Sequence, residues 1–117
     1  MVAIKNLHFH FGRTVVTQGA DATLSEMGEK KHGKDNDAEV MLFVINAKRS
    51  LLGKHLRLEQ GTLCDEDYKQ NLEALNRDKD GKLLARIFSS FKIGEVKFWV
   101  ITEWDESATT ILLPDEY

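Results

Sequence analysis

His55, Arg86, Thr102 and Thr109 are the residues of this chain whose types could combine into chemistry. An imidazole can act as general base, a guanidinium can clamp a phosphate, and hydroxyls can donate to a developing oxyanion. Ser107 and Thr110 add two further hydroxyls nearby. Such a set needs no metal and would suit a small ribonuclease of the toxin type. A structural role competes for His55, because Lys54 and Arg57 flank it where a helix should end. A cation there is favourable to the helix dipole.

Other constellations are weaker. His8 and His10 stand two apart, but no third ligand follows at a spacing that would hold zinc. Asn76, Asp78, Asp80 and Gly81 match the opening of a calcium loop, yet Ile87 stands where the bidentate carboxylate must be. Cys64 precedes Asp65 and Glu66, which oppose a thiolate, so it reads as a small packing residue. No phosphate-cradling glycine loop and no nucleophile elbow is present. The sequence therefore implies no metal and no cofactor.

A second kind of site is a docking surface. Asp65 and Asp67 open a helix, and Glu103, Asp105 and Glu106 surround Trp104 in a turn. Carboxylates around an aromatic suit a basic protein partner, since charge steers encounter and the ring supplies contact area. The same charges disfavour nucleic acid, whose binding requires neutralised phosphates. Residues 1–58 hold nine Lys/Arg against six Asp/Glu, whereas residues 59–117 hold seven against thirteen.

The elements that must position these groups follow from periodicity. Residues 82–117 contain three β-prone runs, 83–91, 96–102 and 108–113, separated by short turns around Gly94 and Trp104. Val96, Phe98, Val100 and Thr102 share one face, which should be buried. Upstream, Asp37 is placed to cap a helix that runs to His55/Leu56 and whose first half is apolar nearly all round, although a buried strand over 40–46 is the rival reading. A second helix follows Thr62, with Asp65 in a capping-box position and a Tyr68–Leu72–Leu75 stripe. Residues 28–37 contain no large apolar side chain and read as a mobile surface loop. Before it stand a strand over 7–11, a β-prone run over 14–17, and a short helix over 21–27. Phe98, Val100, Leu72, Leu75, Ile45 and Leu52 are the expected core.

These elements make an α+β single domain: an antiparallel three- to four-stranded meander sheet with two main helices packed on one face. The parts are an N-terminal strand and mobile loop (1–36), a helical part (37–81) and the meander (82–117). A chain of 117 residues with 42% apolar content can bury one core without disulfides, and its lone Cys64 suits a reducing cytoplasm. Its N-terminus lacks a signal-peptide h-region, and no apolar run is long enough to span a bilayer.

Residues 51–117 resemble a family of small "plasmid-related" proteins from plasmids and integrated mobile elements, to which no activity is assigned. Leu51, Leu52, Lys54 and His55 match its Leu-Leu-x-[Arg/Lys]-His pattern, followed by Gly61, Glu66, Asp67 and Asn71. The ending matches through Trp99, Ile101, Thr102, Glu103, Asp105, Ser107, Thr109, Thr110, Leu112, Leu113, Pro114, Glu116 and Tyr117. Two departures stand out: Gln60 replaces the tryptophan of a Gly-Asp-Trp-Gly segment, and Glu106 replaces the arginine of Asp-Arg-Ser. The resemblance implies a mobile-element setting. Together with the acidic surface it points to a non-enzymatic accessory protein that binds a macromolecular partner, for instance to antagonise a host defence system. The metal-independent ribonuclease remains the alternative.

Overall fold

A computed structural model describes residues 8–117. The order is β1 (Arg13–Val16), α1 (Gln18–His32), α2 (Asp37–Leu56), α3 (Asp65–Ala74), β2 (Ile87–Ile93), β3 (Val96–Thr102) and β4 (Ala108–Leu112), closed by a 3-10 turn at Pro114–Glu116. The class is α+β, with three helices and a four-stranded sheet ordered β1-β4-β3-β2.

The sheet is mixed, which corrects the antiparallel expectation. β2–β3–β4 form the antiparallel meander, and β1 adds parallel to β4, with Arg13 opposite Ala108 and Val16 opposite Ile111. The expected 7–11 strand is displaced: Leu7 lies outside the described residues, residues 8–12 are irregular, and pairing begins at Arg13. Similarly, β2 starts at Ile87 rather than 83, after a segment that carries Leu83 into a separate small core.

The helices packed on one face are α1 and α2, which corrects the expected pair: the helix after Thr62 sits at the β2 edge instead, and α1 takes its place. Thr17 caps α1 by accepting from Ala20 N at 3.2 Å, and the helix runs on through residues 28–32, where a mobile loop was expected. Gly28 is the reason. It is a buried contact point rather than a breaker, and a Cβ there would meet Val40 and Phe43 side chains at 3.2 Å. Only residues 33–36 remain as the turn between helices. Ala20, Leu24 and Gly28 repeat every four residues and form the buried side of α1.

α2 occupies Asp37–Leu56, so the strand alternative over 40–46 is wrong, and the cap position is Asn36, with no side-chain cap bond, rather than Asp37. Its inward positions are Val44, Ala47, Leu51 and His55. Ile45 was expected in the core and is instead 40% exposed, beside Met41 at 63% and Leu42 at 51%. The apolar half-turn offers two candidate faces, and the sheet takes the one that continues into Leu51 and His55. Phe91, Phe98, Val100 and Ile111 complete that core from the sheet side.

α3 lies along the outer edge of β2 and closes it. Phe88 N donates to Asn71 Oδ1 at 2.9 Å, Asn71 Nδ2 donates to Phe88 O, and Thr62 N donates to Ser90 O at 2.8 Å. The Asn71 side chain thus replaces a neighbouring strand and leaves the edge unavailable for pairing. The residue preceding α3 is Cys64, while the Thr62 hydroxyl bonds Ser90, so the capping box does not form. Asn71 and Ala74 face inward, Leu75 packs against the small core, and Leu72 is left 44% exposed. Gly61 passes so close to the β2 edge that a Cβ would fall 2.2 Å from Ser90 O.

Candidate functional site

Alternation along the strands places Ser89 on β2, Thr102 on β3 and Thr109 on β4 on the helix-facing side of the sheet. The last turn of α2 sets His55 directly above them. All four side chains are buried, and His55 and Thr102 have no exposed surface. His55 Nδ1 lies 2.6 Å from Ser89 Oγ, and its Nε2 lies 2.8 Å from Thr102 Oγ1. Thr102 Oγ1 is 2.6 Å from Thr109 Oγ1, which lies 2.7 Å from the carbonyl oxygen of Phe11.

The direction of every bond in this chain follows from its end. Phe11 O can only accept, so Thr109 donates to it and must accept from Thr102. Thr102 has then used its proton and accepts from His55 Nε2–H. The imidazole is therefore the neutral Nε2–H tautomer, with Nδ1 accepting from Ser89. Phe9 meets the ring edge-on at 5.2 Å and Phe11 stacks at 6.2 Å, sealing it. Burial lowers the His55 pKa from 6.5 to about 3. A neutral, dry imidazole with both nitrogens occupied can hold strands and helix together, but it offers a substrate no base.

Arg86 does not join this cluster. It precedes β2 and stacks its guanidinium on Tyr117 at 4.7 Å, also reaching the phenol oxygen. Tyr117 packs on Trp99, and Trp99 on Phe88. Phe88 and Trp99 alternate with the inward positions of β2 and β3, so Arg86 belongs to the opposite face of the sheet from His55. Thr110 shares that face, and Ser107 is exposed in the β3–β4 turn. The sheet divides the nuclease set.

The acidic set is divided as well. Trp104 is 53% exposed at the tip of the β3–β4 turn, with Glu103 and Asp105 exposed on either side. The Ser107 hydroxyl, and then the Ser107 N–H that Asp105 Oδ1 accepts at 3.0 Å, hold the Asp105 carboxyl below its ordinary value, and Glu106 N donates to Glu103 O at 2.9 Å. Glu106 was expected among the free carboxylates and is instead a tie. Its side chain pairs with Arg77 and accepts His10 N at 2.7 Å, while Arg77 also donates to His8 O at 2.7 Å and Gly81 O at 2.9 Å. The hydrogen bond from Arg77 lowers the Glu106 carboxyl from its ordinary value. Asp65 and Asp67 stand at the first turn of α3, and Arg77 follows its last. The length of the helix, about 15 Å for ten residues, therefore lies between Asp65 and the Arg77 end. Asp65 accepts from Gln60 Nε2 at 2.8 Å.

Ser89, Phe11 and Arg77 were not singled out from sequence. Ser89 had a signal: it shares the parity of Ile87 and Phe91, and a polar residue at an inward strand position needs a buried partner. Cys64, expected to pack, is exposed. Asp78 Oδ1 accepts the N–H groups of Asp80 and Lys82, which commits it to the turn after α3. Comparison with family models, with curated protein sequences and with solved structures finds no match.

Proposed function

We propose that this chain is a non-enzymatic accessory protein that binds a macromolecular partner, a basic protein, through the β3–β4 turn. The observation that carries the reading is the presentation of Trp104. A large aromatic stands 53% exposed between two carboxylates, Glu103 and Asp105, on a turn braced by its own hydrogen bonds and by the Arg77–Glu106 pair. A rigid aromatic anchor in a charged rim spends little ordering entropy on association. The resemblance of residues 51–117 to plasmid-related proteins supports a mobile-element setting in the bacterial cytoplasm, with antagonism of a host defence system as one form the activity could take.

Of the set named for the ribonuclease alternative, His55 is buried and Arg86 stands across the sheet. A photo-crosslinking residue at position 104, introduced in host cells, tests the binding reading. One discrete adduct is expected, absent when the crosslinker is moved to exposed Leu84 and weakened by Glu103→Lys. Equal labelling from both positions would contradict it.

A further inference from the structure

We infer that the outer face of α2 is the contact surface between two antiparallel copies of this chain. At 100° per residue, Asp37, Met41, Leu42, Ile45, Lys48 and Arg49 fall within about 140° of the helix circumference. Met41, Leu42 and Ile45 are 63%, 51% and 40% exposed and adjoin one another, a concentration of apolar surface that a monomer gains nothing by showing to water. The face is ordered along the axis, with an acid at the N-terminal end, apolar residues between, and bases at the C-terminal end.

That order is self-complementary under a two-fold axis. When Asp37 of one copy lies level with Arg49 of the other, within reach of its long side chain across the seam, the axis passes beside position 43, and Met41 of each copy meets Ile45 of the other. Both ion pairs then form at once, and the helix dipoles run antiparallel. A parallel arrangement would set Arg49 on Arg49 and Asp37 on Asp37. Among the described residues neither Asp37 nor Arg49 has a salt-bridge partner, whereas Lys48 is held by Asp21 at 3.0 Å. The shallow groove between α1 and α2 beside this face, lined by Ser25, Glu29, Lys34, Met41 and Ile45, leaves room for a side chain of the second copy. The surface is on the helical hairpin, separate from the β3–β4 turn.

Sedimentation velocity on the full chain tests the inference. A dimer is expected at roughly 100 µM. Met41→Glu with Ile45→Glu should weaken association more than about a hundredfold while leaving the melting temperature of the monomer unchanged. Asp37→Arg and Arg49→Asp should each weaken it by about two- to fivefold, and the two together should restore it. A monomer at that concentration overturns the inference, even if another protein occupies the face. So does a dimer that survives the double glutamate variant, or a charge swap that adds the two losses.

Discussion

The Thr109 hydroxyl donates to the carbonyl oxygen of Phe11 at 2.7 Å, and this contact sets the tautomer of His55 two links away. It also ties the segment before β1 to the sheet, so one run of hydrogen bonds joins the N-terminal segment, β4, β3, α2 and β2. Thr109→Val removes the donor for Phe11 O and the acceptor for Thr102 at once. A loss of about 2–3 kcal/mol in denaturant unfolding is expected, because buried groups left without partners forfeit their full desolvation cost. A loss under about 0.5 kcal/mol would mean that water enters the site.

The buried imidazole makes stability depend on pH in a defined window. In the fold its pKa is about 3, whereas the unfolded chain takes up the proton near 6.5. The unfolded state thus binds more protons between those values. The stabilisation is complete above pH 6.5 and is lost on acidification toward 3, at about 1.4 kcal/mol per pH unit. Glu106 has its pKa lowered from 4.5, chiefly by Arg77, so its stabilisation is present above 4.5 and fades only below it. Urea melts between pH 6.5 and 5 should therefore slope in the native chain and flatten in His55→Gln.

Core and surface substitutions separate the faces of the sheet and α3. Val100 is fully buried among Phe91, Phe98 and Ile111, and Val100→Asp should cost more than about 4 kcal/mol and unfold the domain. Leu72→Ser, at a position 44% exposed, should stay within about 0.5 kcal/mol. Thermal melts of both variants check the assignment.

The β3–β4 turn separates binding from bracing. Trp104→Ala should abolish partner binding without moving the melting temperature, whereas Glu106→Lys should lower stability by about 2 kcal/mol by breaking the Arg77 pair and its hydrogen bonds. Thermal melts alongside the crosslinking yield distinguish the two effects.

Much of this fold was legible. The 96–102 strand, the two turns of the meander and the presence of a helix through His55 follow from local patterns, and the inward face of Thr102 follows from its parity with Phe98 and Val100. The parallel pairing of Arg13 with Ala108 joins chain ends that no local signal relates. Gly28 looked like a loop residue because composition cannot separate a breaker from a close helix contact. Ile45 and Leu51 are both apolar, and only the sheet decides which of two overlapping stripes it covers. At the site, residue type alone groups His55, Thr102 and Thr109 with Arg86, which lies across the sheet, and the burial of the first three depends on the long-range contacts of Phe9 and Phe11.

His55 is a sealed structural member that joins α2 to the sheet. Nitrogen-detected NMR of the imidazole tests this most directly. The prediction is an Nε2–H tautomer whose shifts do not change from pH 7 down to about 4.5, well above its pKa of about 3. A titration midpoint near 6.5, or the Nδ1–H tautomer, would contradict it and return His55 to the candidates for a general base.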